Sequence, residues 1–154
     1  MLVIELFTGQ RSQIRALFEQ ADDSPSEIDG YIEAGEVLVA RGDDEIVGHV
    51  QLIPSDVRWE IKSIAVLGSL RRLGIGTALV HAALEHAHSK GCIQVVVGTA
   101  TADIENLHFY QRRGFRMDRI ERDVFTANRG YPAVEANGIP VRDRVWFSID
   151  LNGS

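Results

Sequence analysis

One segment constrains this chain more than any other: Ser63-Ile64-Ala65-Val66-Leu67-Gly68-Ser69-Leu70-Arg71-Arg72-Leu73-Gly74-Ile75-Gly76-Thr77-Ala78-Leu79. An apolar, strand-forming run gives way to a loop. The loop opens into a helix with Ile75, Ala78, Leu79, Ala82 and Ala83 on its apolar stripe. A helix start offers unpaired backbone N–H groups and the positive end of the helix dipole, and glycines there let an anion approach. The junction therefore reads as a strand-loop-helix unit shaped for a pyrophosphate. Two familiar phosphate loops do not fit it. A dinucleotide-binding turn wants a third glycine where Leu79 stands and an acid on the next strand, and Ile93 to Gly98 ends without one. A Walker loop wants Gly-Lys-Ser/Thr, which is absent.

The elements around this junction follow from periodicity and turn residues. Leu2 to Phe7 reads as a strand, and residues 10 to 21 as an amphipathic helix carrying Ile14, Leu17, Phe18 and Ala21. Pro25 breaks that helix, and a short one over Ser26 to Ala34 follows. Val37 to Arg41 and Ile46 to Ile53 form a hairpin around Gly42-Asp43-Asp44-Glu45, and Arg58 to Leu67 is the next strand. A helix over Gly74 to Ser89 stops at Gly91. Ile93 to Gly98 is apolar apart from Gln94, and is expected to be a central strand buried on both faces. Asp103 caps a helix ending at Arg113, and Met117 to Phe125 and Arg144 to Leu151 are the last strands. The stretch between them, rich in Asn, Gly and Pro, is expected to be irregular and functional. The order β-α-α-β-β-β-α-β-α-β-β predicts an α/β fold: a mixed, mostly antiparallel sheet of six to seven strands with helices on both faces. No linker or repeat divides the sequence, so residues 1–154 are expected to form one domain.

Composition matters here mainly for what it excludes. A net charge of −6 argues against a nucleic-acid partner. No apolar run reaches the roughly 20 residues of a membrane span, and the N-terminus lacks the plan of a signal peptide, so a cytoplasmic location is expected. The single cysteine, Cys92, lies in an apolar run and reads as a small buried hydrophobe. None of the five histidines (His49, His81, His86, His88, His108) shows metal-ligand spacing with a partner, and no metal is expected. The charge is unevenly spread. Residues 16 to 40 hold no Lys or Arg, but do hold Glu19, Asp22, Asp23, Glu27, Asp29, Glu33 and Glu36.

Two motifs, in order, resemble the signatures of the GCN5-related N-acetyltransferase (GNAT) family. Arg71-Arg72-Leu73-Gly74-Ile75-Gly76 matches its Gln/Arg-x-x-Gly-x-Gly/Ala, and Phe109-Tyr110-Gln111-Arg112-Arg113-Gly114-Phe115 matches its Phe-Tyr-x-x-x-Gly-Phe. The resemblance covers roughly residues 2 to 125 and implies acetyl-CoA as co-substrate. On this resemblance the backbone of Arg71 to Thr77 (Arg71, Arg72, Leu73, Gly74, Ile75, Gly76, Thr77) holds the pyrophosphate, with the Thr77 hydroxyl assisting. The main chain of Ile64, Ala65 and Val66 holds the pantetheine arm, where the family parts its fourth strand from its fifth. Tyr110 is the general acid for the departing thiolate. The family often places Asn seven residues before that Tyr; Asp103 stands here, and Asn106, one turn before Tyr110, is the substitute. Glu60 matches the catalytic Glu of the histone-acetylating branch and is the candidate base, against the alternative of a solvent-facing strand residue.

The reading is thus an N-acetyltransferase that moves an acetyl group onto a primary amine in a ternary complex. The acidic segment points to a small cationic acceptor such as a polyamine or an aminoglycoside-like amine. A protein N-terminus or lysine side chain is the alternative acceptor, and a catalytically silent acyl-CoA-binding module the alternative function. The family resemblance also admits a homodimer.

Overall fold

Alternation along the strands sets the architecture. In β2 (Glu36–Gly42) Val37 and Val39 face one way and Leu38 and Ala40 the other, and all four are buried. A strand buried on both faces needs helices on both faces, and two apolar layers result. Ile14, Leu17, Phe18, Ile28 and Ile32 pack on Val37 and Val39. Leu79, Val80, Ala83 and Ala87 pack on the opposite face with Trp59, Ile61, Val95 and Phe147.

The computed structural model describes residues 1–70 and 73–151, so the expectations for Arg71 and Arg72 lie outside the described residues. Around β2 the order is β1 (Leu2–Leu6), a 3₁₀ turn (Arg11–Ile14), α1 (Arg15–Ala21), α2 (Pro25–Tyr31), then β3 (Glu45–Ile53) and β4 (Arg58–Val66). There follow α3 (Ile75–Ser89), β5 (Gln94–Ala100), α4 (Ile104–Arg112), β6 (Arg116–Glu121), β7 (Glu135–Ala136), β8 (Ile139–Pro140) and β9 (Arg144–Asp150). Seven strands form one sheet in the order β1-β2-β3-β4-β5-β9-β6. Every neighbouring pair is antiparallel except β4–β5. The expected mixed α/β sheet is therefore present. No helix among the described residues is long and apolar enough to cross a membrane.

Several local expectations change. Pro25 does not merely end the first helix. It is the first residue of α2, where its fixed φ suits a helix start, and the Ser24 side chain accepts from the Glu27 N–H at 3.3 Å. The strand expected over Met117 to Phe125 stops at Glu121, because Asp123 turns to φ 58° and gives its N–H to the Asp143 carboxylate at 2.8 Å. The stretch expected to be irregular contains the small β7–β8 hairpin, turning at Asn137-Gly138, both with positive φ.

Helix α2 ends at Tyr31 rather than Ala34, and the carbonyls just beyond it are held by side chains from elsewhere. Arg11 donates to the carbonyls of Ile32, Ala34 and Gly35 at 2.7, 2.9 and 2.9 Å, and Gln51 donates to those of Tyr31 and Ala34 at 2.8 and 2.9 Å. Arg11 thereby fixes the connection between α2 and β2. Arg11→Ala should cost about 1–3 kcal/mol, the range for hydrogen bonds to a charged group. Thermal unfolding should show this as a drop of about 3–10 °C. A variant that melts with the wild type would mean that water replaces the guanidinium at no cost.

Candidate active site

The site begins where two strands part. Parallel pairing between β4 and β5 joins Arg58, Trp59, Glu60 and Ile61 to Gln94, Val95, Val96 and Val97, and goes no further. Both strands continue, β4 to Val66 and β5 to Ala100. The separation starts at a bulge. Gln51 and Leu52 of β3 face Ser63 and Ile61, leaving Lys62 as an extra residue on β4. Beyond it, the β5-side backbone of residues 62–66 has no strand partner. Buried backbone groups of this kind need partners, and an extended ligand carrying amides can supply them.

A groove of about 1190 Å³ runs along this opening. Ile64, Ala65 and Val66 line it on one side, and Gly74, Ile75, Gly76 and Thr77 line it at the start of α3. Leu73 is exposed beside them. Gly74 takes φ 83° as the residue that starts α3, and a Cβ there would meet nothing. At Gly76 a Cβ would lie only in ordinary contact with Phe109, at 3.6 Å. The protein's own packing does not demand glycine at Gly76, so the space there suits a ligand at the helix start.

Tyr110 lines the same groove from α4. Its ring is wedged among Phe109, Phe115 and Phe147, with centroids 5.2, 5.6 and 5.7 Å away. Burial pushes its phenol well above the ordinary value, so it keeps its proton throughout the physiological range. Asp103 caps α4 by accepting from the Asn106 N–H at 3.0 Å, as the sequence suggests. Asn106 lines the groove too, but its side-chain amide donates to Thr99 Oγ1 at 3.0 Å. Thr77 is likewise engaged: its hydroxyl accepts from the Arg113 guanidinium, which lies 5.3 Å from the Phe109 ring centroid. Arg113 thus brings a cation to the start of α3, a contribution the sequence reading did not single out.

Glu60 sits at the far end of the groove, on the last stretch where β4 and β5 are still paired. It is half-buried, not solvent-facing. Burial pushes its carboxyl above the ordinary range, and the charges of Lys62 and Arg144 pull it part of the way back. Around it the wall is aromatic and polar: Tyr31, Phe125, Tyr131 and Trp146 line the groove. The Tyr31 hydroxyl donates to Asp22 at 2.7 Å, and Lys62 Nζ lies 4.8 Å from the Tyr31 ring centroid.

Of the seven acidic residues between 16 and 40, only Asp22, Asp23 and Glu27 line the groove. Arg15 pairs with Glu19 and Asp29 at 3.2 and 2.7 Å away from it, and Glu36 meets His86 at 3.1 Å. The wall is therefore less acidic than the whole segment. Beneath the groove floor, His49 Nε2 lies 2.8 Å from Ser63 Oγ, and burial pushes the imidazole down to about 3. A histidine so reluctant to charge is no proton acceptor for an amine, which leaves Glu60 as the base candidate on this face. Neither Ser63 nor His49 carries a sequence motif, so nothing short of the fold could pair them.

Comparison with known proteins agrees with this geometry. The family model of the acetyltransferase (GNAT) family matches residues 5–115. An N-acetyltransferase of Bacillus subtilis, YvbK, is 36% identical across 97% of this chain and 97% of its own. A GNAT family acetyltransferase from Elizabethkingia anophelis, solved with acetyl-CoA bound, superposes with a TM-score of 0.90 at 30% identity, covering 97% of this chain and 98% of its own. A Bacillus subtilis acetyltransferase solved with CoA gives 0.88 at 35% identity, over 98% and 99%.

The glycine at position 76 makes a specific demand. Gly76→Val places a branched side chain where the pyrophosphate is expected, and should abolish acetyl-CoA binding measured by calorimetry in a protein whose circular dichroism is unaltered. Wild-type affinity in that folded variant would remove the start of α3 from the binding site.

Proposed function

The chain belongs to the GNAT family of acetyltransferases and uses acetyl-CoA, and on that premise we propose that it acetylates the primary amine of a small cationic acceptor by direct attack. When bound, acetyl-CoA supplies the activated acetyl group. The new bond forms between the acceptor nitrogen and the acetyl carbon while the carbon–sulfur bond breaks. The nitrogen's proton goes to Glu60, and Tyr110 returns a proton to the thiolate. The observation that carries this reading is that Glu60 and Tyr110 line one groove, bordered by the parted segment of β4.

The two residues suit their roles for opposite reasons. Freeing a lysine-like amine of its proton near pH 7.4 costs about 4 kcal/mol, so a carboxylate with a raised pKa is a better base than an ordinary one. Tyr110 must arrive protonated, and its burial ensures that. The backbone of Ile64 to Val66 and of Gly74 to Thr77, with Arg113 beside Thr77, is the binding framework. Cys92 is no candidate for a covalent carrier: it is buried, and its thiol donates to the Gln94 carbonyl.

Glu60→Gln tests the base. Turnover at neutral pH should fall on the order of 10²-fold, and the deficit should shrink as pH approaches the amine's own pKa. A carboxyl whose pKa is raised on folding binds its proton more tightly in the folded state. Ionising it therefore costs stability as pH rises through that pKa. Glu60→Gln should accordingly raise the melting temperature at pH 7, with the gain vanishing in acid. A deficit that stays constant with pH would assign Glu60 to positioning.

For the acceptor, Asp22, Asp23 and Glu27 put negative charge on the groove lining, with Glu27 partly offset by Arg129 at 2.8 Å. A like-signed cleft raises the local concentration of a cation and speeds its capture. Neutralising all three should raise the KM of a doubly charged amine on the order of 10-fold while leaving acetyl-CoA affinity unaltered. The salt dependence of kcat/KM should flatten with it, since screening acts over roughly 8–10 Å. A variant that handles the diamine as the wild type does would turn the search to peptide amines.

A further inference from the structure

We infer that Arg144 is the receptor for a carboxylate carried by the acceptor, so that the amine acetylated belongs to a diamino acid and not to a simple polyamine. This rests on the acceptor reading above and narrows it.

Arg144 opens β9, opposite Ala100, and lines the groove. Its stem lies flat on Gly98: a Cβ there would stand 2.6 Å from Arg144 Cδ. Two aromatic rings hold the guanidinium, Phe125 and Trp146, with centroids 5.5 and 5.2 Å away. The side chain is only 14% exposed, yet the one ion pair it forms among the described residues is long, 3.4 Å to Glu121. That same Glu121 oxygen also accepts from the Trp146 indole at 3.1 Å, and the Glu121 side chain is itself 42% exposed. Arg144 is thus a cation held in a fixed, largely desolvated pose with weak local compensation. A guanidinium presents its donors as a planar fork that fits both oxygens of a carboxylate.

Its position gives the fork a use. Arg144 is close enough to Glu60 to pull that carboxyl down, so an amine delivered to Glu60 arrives beside the guanidinium. An acceptor with only positive charges would be repelled there. One with a carboxylate near the amine satisfies Glu60 and Arg144 together. A second amine can then turn toward Asp22 and Asp23, which line the same groove. Carboxylates and a guanidinium in one groove match a molecule with both signs.

The test compares acceptor pairs that differ only in the carboxylate: ornithine against putrescine, and lysine against cadaverine, with kcat/KM read from released thiol. Wild-type enzyme should favour the amino acid in each pair by about 10- to 100-fold, the worth of a charge-assisted bidentate contact. Arg144→Gln should bring that ratio to near one, and Arg144→Lys should give an intermediate ratio, with calorimetric acetyl-CoA binding confirming the fold of each. A wild-type ratio at or below one overturns the inference, and needs no variant to show it. So does a ratio that survives Arg144→Gln and disappears in Lys62→Gln, which would make Lys62 the receptor. Absence of turnover with both members of both pairs would instead overturn the small cationic acceptor itself, and this inference with it.

Discussion

The parting of β4 from β5 after Ile61 is the constraint on which the rest of the molecule depends. A sheet is stable because each backbone donor and acceptor finds a partner on the next strand. Here residues 62–66 are left unpaired on one side while both strands continue. The fold makes this tolerable in two ways. The other edge of β4 remains paired with β3 up to Val66, so the strand keeps its course. β5 does not drift either, since β9 pairs with its other edge along its full length, from Gln94 to Ala100. The two strands therefore diverge as rigid elements and enclose a groove of fixed shape, with the start of α3 at one end and Glu60 at the other. A chain-like ligand with amides can complete the ladder that the protein leaves open.

That opening also explains why charge can be placed where it is. Glu60 lies where the pairing ends, half-buried by its own sheet, and its raised pKa is the direct consequence. Arg144 can lie across β5 only because residue 98 has no side chain. The bulge at Lys62 gives β4 an extra residue on this face, whose ammonium sits over Tyr31. Each charge is held by a feature of the backbone, so the electrostatics of the site are set by strand geometry and not by flexible surface side chains. The stability cost of a part-buried carboxylate is the counterpart of the raised proton affinity that the proposed role of Glu60 requires.

Legibility in the sequence followed the range of the interactions. Local signals were read correctly: the Asp43-Asp44 turn, both residues at positive φ, the Asp103 cap, the Gly74 start of α3 and the alternation in β2. Glu60, Tyr110 and the Gly74 to Thr77 segment were singled out by their match to the family's motifs, and one groove gathers them. Residues whose roles rest on distant partners were missed. Arg113 meets Thr77 across 36 positions, Ser63 meets His49 across 14, and Arg11 reaches carbonyls 21 to 24 positions away. The acidic segment was read as pointing as a whole to a cationic acceptor, but the fold turns Glu19, Asp29 and Glu36 to partners elsewhere, a sorting that depends on helix orientation.

The two walls of the acceptor end come from parts of the chain about a hundred residues apart, and they are tied together. Ser24 Oγ donates to the Arg129 carbonyl at 2.6 Å, and the Arg129 guanidinium donates to Glu27 at 2.8 Å. The same Ser24 oxygen accepts from the first turn of α2, so the helix start, the 3₁₀ turn at Ala127–Arg129 and the acidic wall move as one unit. This tether has an electrostatic consequence. Arg129 largely cancels the charge of Glu27, and Tyr31 donates to Asp22, so Asp23 is left as the carboxylate most available to a ligand. The field at the acceptor end is therefore modest on the acidic side and firm on the side of Arg144. Such a balance is poorly matched to a polycation, which gains from many uncompensated carboxylates. On the acceptor reading proposed above, it suits a small molecule with one carboxylate and two amines.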